Sequence, residues 1–98
     1  MFAMRVKKEF IIRNIAGKDV IVATGKEAMK FNGLLTVSET GKFILEHYQD
    51  AENISDLIQM VLDEFEVDPD IAAKDAVGFT NAMLQQGIIE MSDPEKNW

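Results

Sequence analysis

The chain has 98 residues, of which 47% are hydrophobic, a composition that suits one domain built around one compact core. Its formal net charge of −7 argues against nucleic acid and anionic membranes as partners, because both are bound mainly through Lys and Arg. The sequence contains no cysteine, which excludes disulfides, Cys-based metal sites and thiol catalysis.

The N-terminus carries basic residues after its apolar ones and has no continuous apolar segment of the kind that a signal peptide needs. No later run approaches the roughly 20 apolar residues of a membrane span. We therefore expect a cytoplasmic protein with a single domain over residues 1–98, ordered over about residues 5–91 and followed by a polar tail at residues 92–98.

Three strands are predicted in the first half of the chain. Residues 10–15 and 20–23 are rich in β-branched side chains, and the four residues between them include a Gly and an Asp that suit a hairpin turn. A third strand at residues 34–37 follows an Asn-Gly dipeptide, in which both residues tolerate positive φ. Helical periodicity begins immediately afterwards, so the predicted sheet stops at three strands.

Two helices are predicted next. Ser38 is a suitable N-cap for the first helix, because its hydroxyl can accept from a backbone N–H two or three residues further on. Asn53 is placed to cap the second helix, whose apolar residues follow i, i+3, i+4 spacing and predict a core-packing face. The apolar faces carry Phe43, Ile44, His47 and Tyr48 in the first helix and Ile54, Leu57, Ile58, Val61, Leu62 and Phe65 in the second.

The third predicted helix begins near Pro69, since Pro is allowed in a first helical turn, and finishes at Gly87, a favourable residue after a helix end. Residues 88–91 either add a short strand or simply pack on the core. Gly78 lies inside this helix, where Gly is about 1 kcal/mol less favourable than Ala, so it calls for close packing or for close approach by a partner.

The third helix carries more apolar surface than one core face requires. At 100° per residue, its core face consists of Ala72, Ala76, Phe79, Thr80 and Met83. A neighbouring stripe contains Ala73, Val77 and Leu84, with Asn81 close by. This stripe is either part of a broad core face or one wall of a binding groove, and the periodicity leaves both interpretations open.

The order of these elements and the amino-acid sequence of residues 14–45 resemble the PqqD-like family of peptide-recognition domains, which serve enzymes that modify ribosomally made peptides. The likeness covers about residues 10–90 and rests on four motifs in order. These are an Ile-Ala-Gly hairpin, Phe-Asn-Gly before the third strand, Thr-Gly in the first turn of the first helix, and Asp…Phe…Gly-Ile at the end of the third. The chain departs from the family at Ser38, where Asn is commoner, and at Val77 and Leu84, which are unusually apolar.

The resemblance implies a winged-helix-like α+β fold, with a three-stranded antiparallel sheet followed by three helices. It also implies a non-catalytic peptide chaperone without a cofactor. The leader of a precursor peptide would add as a strand to the third strand, in either orientation, and be presented to a radical SAM maturase or another modifying enzyme. Edge strands suit this role, because their unpaired N–H and C=O groups bind an extended backbone. The expected binding residues are Leu34, Leu35, Thr36, Val37, Ala73, Lys74, Val77, Asn81 and Leu84. We expect a monomer or a weak homodimer.

Two other functions fit parts of the sequence. A winged-helix transcription regulator would need cations on its third helix, and Lys74 is the only one between residues 69 and 87. A small enzyme would need a nucleophile and base or a metal set, which cannot be traced around the single histidine, His47. The acidic run at residues 63–70 lacks the spacing of a calcium loop. We therefore expect neither DNA binding nor metal binding, and no chemistry by the isolated chain.

Overall fold

A computed structural model describes residues 4–26 and 35–91. It contains a three-stranded antiparallel sheet followed by three α-helices, which confirms the predicted α+β class. No helix in the described residues is long and apolar enough to cross a membrane. The elements in chain order are β1 (Met4–Val6), β2 (Phe10–Ile15), β3 (Lys18–Ala23), β4 (Leu35–Val37), α1 (Glu39–His47), a 3₁₀ turn (Tyr48–Asp50), α2 (Ile54–Glu64), α3 (Pro69–Gln85) and β5 (Ile89–Met91).

The β2–β3 hairpin is tighter than the sequence predicted. Its turn consists of Ala16 and Gly17 alone, and Ile15 pairs directly with Lys18. Both turn residues have positive φ, 53° and 82°, as the tightest hairpin turns require. The predicted start of the second strand at residue 20 is therefore wrong by two residues, because the register continues up to a two-residue turn.

A second sheet, which the sequence did not predict, pairs β1 with β5. Met4 lies opposite Met91 and Val6 opposite Ile89, and the Lys7 N–H extends the pairing by donating to the Ile88 carbonyl at 2.9 Å. Residues 89–91 thus form a strand, one of the two outcomes that the sequence left open. The pairing holds the start of the described chain against the end of α3.

Predicted helix ends are confirmed where the structure shows their caps. Ser38 Oγ accepts from the Gly41 N–H at 3.1 Å at the start of α1, and Asn53 Oδ1 accepts from the Asp56 N–H at 2.9 Å at the start of α2. Gly87 follows α3 with φ of 73°, a conformation that a side chain would strain. The Ser38 cap sets where β4 gives way to α1.

The buried core joins both sheets to all three helices. In α3, four of the five predicted core residues are buried, while Phe79 is half-buried at the surface. Tyr48 is fully buried, and its hydroxyl lies 2.9 Å from Thr80 Oγ1 on α3, so the two hydroxyls share a hydrogen bond. The buried hydrophobic residues of the helices and of the 3₁₀ turn are Ile44, Leu45, Tyr48, Leu57, Val61, Ala72, Ala76 and Met83.

Burial raises the pKa of Tyr48 from 10.0 to about 12, and the hydrogen bond to Thr80 offsets part of that rise. The folded state therefore favours the neutral phenol. The stabilisation is fully present below pH 10 and is lost as the pH rises towards about 12, a loss of up to about 3 kcal/mol. Because Tyr48 is the only tyrosine, phenolate absorbance should follow it alone, with a midpoint near 12 while the protein stays folded.

Tyr48→Phe is the control for this titration. The variant should lose the absorbance change, and its free energy of unfolding should fall less steeply over the same alkaline interval. A midpoint near 10 in protein that circular dichroism shows to be folded would contradict the burial of this phenol.

Candidate functional site

The outer edge of β4 is the first part of the candidate site. The three-stranded sheet has the order β2-β3-β4, so β4 is its last strand within the part of the chain that the structure describes. Such an edge presents backbone N–H and C=O groups that another extended chain can pair with. Which residue presents them is set by the alternation of hydrogen bonds along β3.

In an antiparallel ladder, hydrogen-bonded pairs alternate with non-hydrogen-bonded pairs. The Thr24 N–H donates to the Glu9 carbonyl at 2.7 Å, so Thr24 and every second residue before it along β3 face β2. The intervening residues of β3 face β4, and two of them pair with Leu35 and Val37. Those two β4 residues therefore turn their backbone groups inward, and the N–H and C=O of Thr36 point outward.

The side chains of β4 alternate in the same way. Val37 is buried and Leu35 is half-buried against the core, whereas Thr36 is exposed on the opposite face of the sheet. An added strand would alternate likewise, so every second side chain would lie on the same face as Leu35 and Val37, towards the helices.

A cleft of about 540 Å³ lies beside the end of β4, between the first turn of α1 and the middle of α3. Ser38, the residue immediately after β4, forms part of its wall, so the cleft begins next to the end of the strand. The wall consists of Ser38, Thr40, Gly41 and Ile44 on the α1 side and Lys74, Asp75, Gly78 and Phe79 on the α3 side.

The two glycines of the cleft differ in what surrounds them. A Cβ at Gly41 would lie 3.0 and 3.2 Å from two ring carbons of Phe79, so the absence of a side chain lets α1 and α3 approach closely. A Cβ at Gly78 would meet nothing within 4 Å. No packing within the described fold therefore requires a glycine at position 78, and its bare backbone keeps the cleft open.

The cleft has a mixed electrostatic character. Lys74 and Asp75 stand side by side on its α3 wall, and both are exposed. Lys74 forms no ion pair with any other described residue. Its ammonium group is therefore available to a carboxylate of a bound peptide, while the half-buried Phe79 ring offers apolar contact.

The structure divides the predicted α3 residues of the site between two depressions. Lys74 lines the cleft beside β4, whereas Val77, Asn81 and Leu84 line a second depression of about 160 Å³, together with Met4, Ile54 and Thr80. Val77 and Leu84 are 43% and 39% exposed, so these two residues of the stripe do not belong to the buried core. Ala73 is half-buried and lines neither depression, and Leu34 lies outside the described residues.

Several cleft residues are not among the binding residues predicted from the sequence. Thr40, Gly41, Ile44, Asp75 and Phe79 line the cleft, although the family resemblance already pointed to the Thr-Gly pair and to Asp75 and Phe79 as shared motifs. Their role as walls depends on how α1 crosses α3, which helical periodicity does not specify. The close approach of Gly41 and Phe79 explains why a glycine follows the threonine.

In the described residues, an outer sheet edge beside a helix-lined cleft defines a small α+β domain suited to binding an extended chain. The family model for coenzyme PQQ synthesis protein D (PqqD) matches residues 18–89, and the chain belongs to the PqqD family. This confirms the resemblance drawn from the sequence. No curated protein matches the sequence.

Two solved structures share the fold. One, described as lasso peptide synthetase B1 complexed with the leader peptide, superposes with a TM-score of 0.69 at 17% identity, over 89% of this chain and 96% of that chain. The other, described as TbiB1 in complex with the TbiA(beta) leader peptide, gives a TM-score of 0.66 at 13% identity, over 88% of this chain and 94% of that chain. At these identities the likeness establishes the fold alone.

The two cleft glycines should respond differently to alanine. Gly78→Ala should stabilise the protein by about 0.5–1 kcal/mol and raise the melting temperature by several degrees. Alanine is the better helix former, and its Cβ would meet no other atom within 4 Å. Gly41→Ala should be less stable than Gly78→Ala by about 1 kcal/mol or more, because its Cβ presses on the Phe79 ring. Thermal unfolding by circular dichroism measures both.

Phe79→Leu supplies the matched test of crowding. In the Phe79→Leu background, Gly41→Ala should lower the free energy of unfolding much less than it does in the wild-type protein, because the ring that crowds the new methyl group is gone. Equal melting temperatures for the two single glycine variants would show that α1 and α3 are not in close contact at Gly41.

Proposed function

We propose that this chain is a peptide chaperone that binds the leader segment of a ribosomally made precursor peptide and presents it to a modifying enzyme. The leader adds as a strand to the outer edge of β4. The observation that carries the proposal is the outward-facing N–H and C=O of Thr36, placed at a sheet edge beside an open cleft.

The cleft supplies selectivity to an edge that would otherwise accept any extended backbone. A peptide strand beside β4 directs alternate side chains towards the helices, where the cleft offers the apolar surface of the half-buried Phe79 ring and the charge of Lys74. Main-chain hydrogen bonds then provide affinity, and the side chains in the cleft provide discrimination. We infer a leader with an apolar residue for the cleft and a carboxylate near it.

The proposal has support from related proteins. The chain belongs to the PqqD family, and the two similar solved structures reported above are described as complexes with a leader peptide. In this proposal the domain does no chemistry itself. Its enzyme partner is a radical SAM maturase or another enzyme that modifies ribosomal peptides, and sequencing the DNA beside the gene tests this by looking for a short precursor and such an enzyme.

The transcription-regulator alternative gains no support from the structure. Lys74 is the only cation on α3, and it faces the cleft with Asp75 beside it. A recognition helix in a DNA groove would need several cations on its outer face. The peptide function therefore stands as the better account of this helix.

Proline at Thr36 should abolish strand addition and leave the fold intact. The Thr36 N–H faces away from β3, so its loss removes a donor to the peptide but none from the β3–β4 ladder. We expect peptides selected from a displayed random library on the wild-type protein to bind Thr36→Pro about tenfold more weakly or worse, as fluorescence anisotropy measures.

Asn14→Pro provides a matched control on the opposite edge of the same sheet. Residue 14 also pairs across a non-hydrogen-bonded position of the β2–β3 ladder, so its N–H likewise faces outward. Peptide affinity should be unchanged in this variant. If folded Thr36→Pro binds the selected peptides as tightly as Asn14→Pro does, strand addition at β4 is wrong.

A further inference from the structure

The second depression has the character of an anchor for one apolar side chain. Its volume is about 160 Å³, and an apolar cavity of about 150 Å³ in another protein is known to hold benzene. Four of its six lining residues are apolar, and the hydroxyl of a fifth, Thr80, is already hydrogen-bonded to Tyr48. The depression therefore has room and surface for a single aliphatic or phenyl group.

The depression and the cleft meet on α3. Val77 lines the depression, and Gly78, the next residue, lines the cleft, so only the outer surface of one helix separates the two. Gly78 is exposed, and a Cβ at this position would meet no other atom within 4 Å. Another chain can therefore approach the helix backbone more closely here than at a residue with a side chain. The fold itself gives no reason for this glycine, whereas the close passage of another backbone does.

Asn81 stands one turn beyond Gly78 on the same surface. It is exposed, and its side-chain amide makes no hydrogen bond within the described residues. An amide side chain offers both a donor and an acceptor, which is what a passing peptide group needs. The outer surface of α3 thus presents Gly78, then the side-chain amide of Asn81, and then the apolar depression.

We propose that the peptide bound at β4 continues out of the cleft, crosses α3 over Gly78 beside Asn81, and inserts a second apolar side chain between Val77, Leu84, Ile54 and Met4. This inference rests on the proposed peptide-binding function and adds a second anchor to it. A helix is about 10 Å across, and an extended chain advances about 3.3–3.6 Å per residue. The second anchor therefore lies about three residues from the side chain in the cleft.

The probe for the test is a set of peptides selected from a displayed random library on the wild-type protein and counter-selected against Thr36→Pro. The counter-selection removes peptides that bind without the Thr36 N–H, so the remaining peptides depend on the β4 edge. Among them, an apolar residue should recur about three positions from the residue that occupies the cleft. If no peptide survives the counter-selection, the proposed function itself fails, and the second anchor fails with it.

The decisive variant is the double substitution Val77→Ser with Leu84→Gln. Both side chains are exposed, so the melting temperature should stay within a few degrees of wild type. Affinity for the edge-dependent peptides should fall about tenfold or more, because the second apolar side chain loses its contacts. Gly78→Leu raises the surface that the peptide crosses and should weaken the same peptides without destabilising the protein.

Ile71→Ser is the matched control, because Ile71 is an exposed apolar residue of the same helix, 48% exposed, that lines neither depression. It should leave affinity unchanged. A loss of less than about twofold in the double variant would overturn the second anchor while leaving strand addition in place. If the double variant instead converts a sedimenting dimer to a monomer at unchanged peptide affinity, the depression holds a second copy and the inference is also overturned.

Discussion

The alternation of backbone hydrogen bonds across β2, β3 and β4 is the constraint on which the binding edge depends. Each residue of β3 faces one neighbouring strand or the other, so the two-residue turn at Ala16 and Gly17 and the register of β3 with β4 together determine which residues of β4 point inward. A shift of one residue would turn the Thr36 backbone groups inward and move Leu35 and Val37 away from the core face. The two registers therefore specify the backbone groups that a peptide meets.

The second requirement is the close packing of α1 on α3. Gly41 lets the Phe79 ring approach the first turn of α1, and the buried Tyr48–Thr80 hydrogen bond ties the end of α1 to the same helix. Together these contacts hold the cleft walls at a spacing that does not depend on a bound peptide. The sheet edge and the cleft are thus preformed, which limits the conformational entropy that binding must offset.

Local signals predicted much of this fold. The three strands of the larger sheet, the caps at Ser38 and Asn53, and the end of α3 before Gly87 all follow from residue types and short spacings. The β1–β5 sheet does not, because each strand has only three residues and the partners are far apart in sequence, as the Arg5–Glu90 ion pair, 85 residues apart, illustrates. Pairing of that kind is decided by the tertiary fold.

Only part of the candidate site could be predicted from the sequence. Periodicity identified the stripe of Val77 and Leu84 on α3, but a helical angle does not say which element lies opposite. In the structure, Val77 and Leu84 lie near Met4 and Ile54. Of the predicted binding residues on α3, only Lys74 lies beside the end of β4. The β4 edge was inferred from the family resemblance, and only the register shows that Thr36 is the residue facing outward.

Hydrogen exchange at the three β4 amides tests the central claim most directly, with one of the edge-dependent peptides as the ligand. In the free protein, the amides of Leu35 and Val37 should exchange slowly and that of Thr36 quickly, since only the first two bond to β3. Saturating peptide should slow exchange at Thr36 by about tenfold or more and leave the order of the other two unchanged. An unprotected Thr36 amide in the saturated complex would contradict strand addition at this edge.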